Sequence, residues 1–229
     1  METLTILQTG PLGVNSYIVP IAGDAVYIVD PAACALTGDE TKITGWLSEH
    51  KKKPYAILLT HGHFDHILGL QVLKRAYPAC PVAIHKADAH LLGGSSPSSQ
   101  IESLRLMGLE TVACALRDMP PPDITFSGGE TLGYIIPCED DAVRASLSHW
   151  KIVHTPGHTP GSVCFYNAER NELISGDTVF YRSSGRTDLP GGDERAMRSS
   201  LASIKNTIPP ETLVYPGHEY FGFPLRENY

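Results

Sequence analysis

The sequence predicts an α/β fold in which two β-sheets pack face to face and helices cover their outer faces. Three observations carry this reading. Residues 4–84 alternate short apolar, β-branched runs with turn signals and two helical stretches. Residues 93–150 break that rhythm with polar and proline-rich sequence. Residues 151–215 then resume it. With 229 residues, the chain is read as a single domain over 1–229, carrying an insertion-like segment around 93–150. A chain of this length buries roughly 70 % of its unfolded surface and needs no staples to fold.

The elements follow in order. Residues 4–7 and 16–19 read as strands around Gly10-Pro11 and Gly13. Residues 25–29 (AVYIV) form a β-branched run that stops at Asp30-Pro31. Residues 40–50 carry apolar side chains at helical spacing (Ile43, Trp46, Leu47) before a basic triplet and Pro54. Residues 55–59 (YAILL) are a buried strand, residues 67–77 a helix closed by Pro78, and residues 82–84 a strand. In the middle segment, 93–100 is a polar loop, 101–116 is helical, MPPPD at 119–123 is a break, and 127–132 turns into a strand. Residues 151–154, 162–166 and 172–175 are strands, 194–205 is a helix with Asp193 as its N-cap, and 213–215 is a last strand.

Composition narrows the function. Hydrophobic residues make up 42 % and charged residues 19 %, the balance of a globular protein. Lysine and arginine number 18 against 25 aspartate and glutamate, a formal net charge of −7, which disfavours nucleic acid as a partner. No apolar run reaches the roughly 20 residues of a membrane span. The N-terminal stretch has no basic region leading into an apolar core, so no signal peptide is expected. Five cysteines without CxxC spacing (Cys34, Cys80, Cys114, Cys138, Cys164) fit reduced thiols and a cytoplasmic location. The expected partner is a small-molecule substrate, with neither nucleic acid nor membrane; the oligomeric state is left open.

The sharpest signal is His61-Gly-His63-Phe-Asp65-His66, directly after one strand and directly before a helix. In an extended segment residues i and i+2 point the same way, so His61 and His63 can grip one ion. Asp65 and His66 fall where the chain turns into the helix and are aimed to serve a second. Imidazole and carboxylate donors suit zinc, iron or manganese. Three later pieces place further donors at strand ends: His154-Thr-Pro-Gly-His158-Thr-Pro-Gly161, Ser175-Gly-Asp177 and Tyr215-Pro-Gly-His218. Loops at strand ends are where rigid scaffolds hold catalytic groups. A lone strand-end histidine is more often a structural hydrogen-bonder; four such pieces in one chain favour one metal site. His85 and His90 lack any motif and read as structural, Cys164 as core and the lysines at 51–53 as a solvated turn.

On these residues the chain resembles the metallo-β-lactamase superfamily, from Asn15-Ser-Tyr17 through Asp30 to His218. The resemblance implies a four-layer αββα sandwich with a dinuclear site at one edge. It implies that His61, His63 and His158 hold one metal, that Asp65, His66 and His218 hold the other, and that Asp177 and a hydroxide bridge them. Two divalent ions are expected, zinc foremost, with iron or manganese as alternatives. Asp30 would orient a ligand imidazole from behind; His154 would not be a ligand. Asp65 would also act in catalysis, accepting a hydrogen bond from the attacking hydroxide.

Within the superfamily, Asp65 in the HxHxDH motif and Asp177 resemble glyoxalase II-like hydrolases, which cleave thioesters. The stretch Ser184-Gly-Arg186-Thr-Asp188-Leu-Pro resembles single-domain members of that group. A related GRTD stretch occurs in persulfide dioxygenases, so an iron-dependent dioxygenase is the alternative, and a non-catalytic metal-binding relative a third. Arg186 and Asp188 stand behind the ligands in this reading, or only pair with each other to shape their loop. Full-length glyoxalase II enzymes continue into a helical glutathione-binding domain; this chain ends shortly after His218, so glutathione is expected to matter less. The segment around 93–150 is longer than in compact relatives and is expected to form a lid or a dimer contact.

Overall fold

The computed structural model describes residues 2–228. The first sheet runs β1 (Thr5–Thr9), β2 (Val14–Pro20), β3 (Ala25–Val29), β4 (Lys53–Leu58), β5 (Val82–His85) and β6 (Ile124–Phe126) in sequence order across the sheet. β1, β2 and β3 pair antiparallel, and β3 through β6 pair parallel. Parallel pairing needs crossovers on the sheet face. Helix α1 (Lys42–Glu49) crosses from β3 to β4, and α2 (Phe64–Ile67) with α3 (Leu70–Ala76) from β4 to β5. Helix α4 (Ser96–Leu106) lies between β5 and β6; α5 (Leu132–Ile135) and α6 (Asp141–Ser148) follow β6.

The second sheet holds β7 (Trp150–His154), β8 (Val163–Asn167), β9 (Glu172–Gly176), β12 (Leu213–Pro216) and β13 (Phe223–Pro224), in the order β13-β12-β9-β8-β7. A small hairpin, β10 (Val179–Phe180) and β11 (Ser183–Ser184), stands apart. Helix α7 (Glu194–Thr207) crosses to β12, which pairs parallel to β9.

Side-chain alternation builds the layers. In β3, Val26 and Ile28 face the helices, while Tyr27 and Val29 face the other sheet. In β4, Ile57 faces the helices and Ala56 and Leu58 the other sheet. Across the gap, Val163 and Phe165 of β8 meet them, and Cys164 turns outward to the cluster containing Ile204 of α7. The order is therefore helix, sheet, sheet, helix, the four layers expected from the sequence. Trp150 plugs the inter-sheet core, its ring edge-on to Tyr27 at 5.6 Å between centroids.

Four expectations are corrected. The helix read over 67–77 breaks at Leu68 and Gly69, because the Gly69 N–H donates to the Pro31 carbonyl at 2.8 Å instead of continuing the helical ladder. The loop read over 93–100 already contains the first turns of α4. The helix read over 101–116 stops where Gly108 adopts a left-handed φ of 69°, and residues 110–116 wind on as a 3-10 turn. The strand read after residues 127–132 is α5: Leu132 and Ile136, four apart, both enter the inter-sheet core. Strand β6, three residues long, is too short to stand out in the sequence. Residues 138–150, which match no pattern, contain α6, whose cap Asp140 accepts the N–H groups of Ala142 and Val143. Asp193 caps α7 as expected, accepting the Ala196 N–H.

No helix among the described residues is long and apolar enough to cross a membrane.

Candidate metal centre

The C-terminal ends of β3, β4, β9 and β12 meet at one edge of the sandwich, because β3–β4 and β9–β12 are parallel pairs. Two backbone hydrogen bonds tie the sheets together there: Asn15 N–H to the Gly217 carbonyl at 2.7 Å, and Val163 N–H to the Thr60 carbonyl at 2.8 Å. His61 follows β4, and His63 sits with extended backbone at the N-terminus of α2. Asp65 and His66 occupy the single turn of α2. His158 lies on the β7–β8 loop, Asp177 just past β9 and His218 just past β12. The structure brings all seven expected donors together.

They form two triads. The donor atoms of His61, His63 and His158 lie within 4.8 Å of one another, as do those of Asp65, His66 and His218. His63 Nδ1 and His158 Nε2 are 2.8 Å apart, and the Nε2 atoms of His66 and His218 are 3.2 Å apart. Asp177 stands between the triads: Oδ1 is 3.4 Å from His66 Nε2, and Oδ2 is 3.5 Å from His158 Nε2 and 3.6 Å from His218 Nε2. Asp30, His61 and His66 also cluster, but both oxygens of Asp30 are engaged by Thr60 and His66.

The imidazoles are held from behind. His66 donates its Nδ1–H to Asp30 Oδ2 at 2.9 Å, His158 its Nδ1–H to the Arg186 carbonyl at 2.8 Å, and His218 its Nδ1–H to the Leu12 carbonyl at 3.2 Å. Thr60 donates its hydroxyl to Asp30 Oδ2, leaving its oxygen to accept the His61 Nδ1–H at 3.1 Å. In all four rings this leaves Nε2 facing the centre, placed to offer its lone pair once any proton there is displaced, the arrangement that orients metal-ligating histidines. His61 Nε2 and Asp177 Oδ1 are buried with no hydrogen-bond partner. A buried polar atom left unpaired costs about 1–3 kcal/mol, a penalty that a bound cation would remove. The donor set thus fits divalent metal.

The electrostatics differ between the triads. Burial and the neighbouring imidazoles push His61 and His63 well below the usual histidine value, so both are neutral. Burial acts against ionisation of Asp65, but His66 and His218 outweigh it and hold the carboxyl far below the usual range. Burial likewise opposes a charge on His66, yet Asp65, Asp177 and Asp30 push it up to about 10. Burial opposes a charge on His218 as well, but the hydrogen bond to Asp65 and the negative charges of Asp177 and Asp65 together raise it.

A cleft of about 330 Å³ opens over the cluster. Its floor includes His63, Asp65, His158, Asp177 and His218, and its walls include Leu12, Phe64, Met107, Phe180 and Leu189. Ser103 of α4 and Met107 just after it belong to that wall, whereas α5 and α6 contribute Leu132, Val143 and Leu147 to the inter-sheet core. The segment 93–150 therefore does not act as one lid.

The expectation that Arg186 and Asp188 stand behind the ligands holds only for the Arg186 backbone. The Arg186 side chain pairs with Asp188 through two bonds of 2.7 and 2.8 Å, and both side chains face solvent. The two side chains shape the loop, because a guanidinium and carboxylate two residues apart satisfy each other. His154 donates from Nε2 to the Pro160 carbonyl, and His85 bonds the Ser127 carbonyl, as structural histidines do. Two supporting residues give no signal in the sequence: Thr60, and Asp88, a buried carboxylate after β5. Neither carries a spacing motif.

The family model described as Metallo-beta-lactamase superfamily matches residues 9–218. The chain belongs to the metallo-β-lactamase superfamily. It is similar to the "Probable metallo-hydrolase YqgX" of Bacillus subtilis (strain 168), 33 % identical over 93 % of this chain and 88 % of that protein. It is 29 % identical to a hydroxyacylglutathione hydrolase of Rhodospirillum rubrum, over 96 % of this chain and 68 % of that protein. Among solved structures, the crystal structure of TTHA1623 in a di-iron-bound form matches with a TM-score of 0.76 and 32 % identity, covering 97 % of this chain and 95 % of that one.

Proposed function

We propose that the chain is a dinuclear metallo-hydrolase acting on thioesters of small acids. The observation that carries it is Asp177, whose two oxygens reach toward one triad and the other. In this reading His61, His63 and His158 would hold one divalent ion and Asp65, His66 and His218 the second, with Asp177 placed between the two sets. Divalent ions there would polarise a carbonyl and make a water nucleophilic near neutral pH.

The chain's own groups then have distinct tasks. Asp65, kept ionised by His66 and His218, accepts a hydrogen bond from the attacking water and orients it. Asp30 and the Arg186 carbonyl hold His66 and His158 in register. The apolar walls from Phe64, Met107 and Phe180 receive the acyl portion and exclude bulk water. A carbon–oxygen bond forms as the carbon–sulfur bond breaks, giving an acid and a thiol. Thiolate leaves without strong protonation, which suits a cleft whose acidic side chain Asp65 is held ionised. The likeness to the hydroxyacylglutathione hydrolase supports the thioester class. Arg186, the cation on the cleft wall, is already tied to Asp188, so a glutathione carboxylate gains little from it.

The test is metal content by elemental analysis, followed by hydrolysis of lactoyl-glutathione and lactoyl-cysteamine with thiol release monitored. Two ions per chain and kcat/KM values within about tenfold, or ~1.4 kcal/mol, are expected. Oxygen consumption on a persulfide without thioester cleavage would reassign the chain to the iron-dependent dioxygenases. Metal binding with no turnover of either would mark a non-catalytic relative.

A further inference from the structure

Asp88 lies on the turn after β5, outside every ligand motif, and its side chain is wholly buried. Its Oδ2 accepts the Gly62 N–H at 3.0 Å and the Thr159 hydroxyl at 2.7 Å. Its Oδ1 accepts the Gly161 N–H at 2.7 Å. Gly62 is the residue between His61 and His63, and Thr159 follows His158 directly. One carboxylate therefore clamps together the two loops that carry the first triad, which are 95 residues apart at His63 and His158. The approach is close: a Cβ on Gly161 would lie 2.5 Å from the Asp88 Oδ1. Only glycine admits the carboxylate at that point.

We propose that Asp88 is a positioning residue which sets the separation of His63 and His158, and through it the affinity and geometry of the His61–His63–His158 ion. The inference rests on the metal reading of this cluster given above. The chemistry is specific to a carboxylate, because donors point at both oxygens. An amide has one acceptor and one donor, so an asparagine turns its own N–H toward the N–H of Gly62 or toward that of Gly161. Either way one backbone bond of the clamp, that of Gly62 or that of Gly161, is lost while the side-chain volume stays the same. His61, His63 and His158 themselves would keep every atom, and only their mutual placement would change.

The experiment compares the wild-type chain with Asp88→Asn and Asp88→Ala. Zinc is titrated against a chromophoric chelator, the d–d spectrum is recorded on the cobalt-substituted protein, and each metal-free chain is melted. A loss of tenfold or more in the affinity of the tighter site is expected for Asp88→Asn, on the scale typical of residues supporting metal ligands. A shifted cobalt spectrum should accompany it, while the metal-free chain still unfolds cooperatively. Wild-type affinity and spectrum in Asp88→Asn would overturn the proposal, even if stability fell. Should that variant fail to fold, Thr159→Val removes one of the three donors to the carboxylate, together with the Thr159–Ser162 hydroxyl contact, and Ser162→Ala serves as the control for the latter; a loss in the same direction beyond that of Ser162→Ala supports the clamp, and unchanged affinity overturns it. A wild-type chain that binds no metal would instead overturn the metal reading, and this inference with it.

Discussion

The Asp30 carboxylate accepts the His66 Nδ1–H at 2.9 Å, with both side chains essentially out of solvent. The same carboxylate accepts the N–H and hydroxyl of Thr60, whose oxygen in turn meets His61. One aspartate at the end of β3 thus orients an imidazole of each triad, His66 directly and His61 through Thr60.

Replacing Asp30 tests that role. Asp30→Ala leaves buried donors on Thr60 and His66 unpaired and is expected to cost ~2–3 kcal/mol of stability. Asp30→Asn keeps the volume but turns an amide N–H toward either His66 or Thr60. Facing His66, it moves that ring's proton to Nε2 and closes the ligand position. Its metal affinity should fall about 10- to 100-fold, read by chelator competition. An unchanged affinity in Asp30→Asn would refute the orienting role.

Asn15 acts on the opposite side. Its side-chain amide donates to the carbonyls of Pro216 at 3.0 Å and Glu219 at 3.2 Å, which bracket His218. Asn15→Ala should loosen that loop and weaken one of the two metal equivalents more than the other. Stepwise metal titration followed by calorimetry resolves the two. Equal loss at both would show that Asn15 supports the edge of the sheets in general and not His218 in particular.

Metal stabilisation should grow with pH. His66 is raised in the folded chain, so its contribution is complete below the ordinary value of 6.5 and is lost as pH rises toward about 10. His61 and His63 are lowered, so below 6.5 the unfolded chain takes protons that the folded one refuses, and acid destabilises. A metal entering the second triad must displace the His66 proton, which weakens apparent affinity by about tenfold per pH unit below its pKa. The gain in Tm between metal-free and metal-loaded protein is therefore larger at pH 8.5 than at pH 6.5. A gain that shrinks over this interval would contradict the assignment of His66.

Thiol labelling reads the core directly. Burial pushes Cys80 up to about 12 and Cys164 up to about 11, while Cys114 is exposed. Since the thiolate is the nucleophile, a maleimide at pH 7.5 should modify Cys114 first and reach Cys80 and Cys164 only on unfolding. Peptide mass mapping of a labelling time course gives the order. Early modification of Cys164 would mean that the α7 layer opens in the native state.

The sequence by itself pointed to two packed sheets covered by helices and to a cluster of candidate metal donors, because both rest on local patterns. Val26 and Ile28 alternate with Tyr27 and Val29, and a period of two already assigns each to one face of a strand. The HxHxDH run and the strand-end histidines announce their chemistry through residue type and short spacing. The middle segment was less legible. Gly69 and Gly108 look alike in sequence, yet one ends a helix by bonding to Pro31 and the other by turning left-handed. Only the tertiary structure decided what stands behind the ligands. Asp88 reaches Gly62 and Thr159 across 26 and 71 residues of chain, and no periodicity encodes a contact of that span. The same holds for Arg186: its side chain turns to Asp188, two residues away, while its carbonyl, identical in every residue type, holds His158. A backbone group leaves no mark in composition, so its role appears only when the fold brings it to the ring it orients.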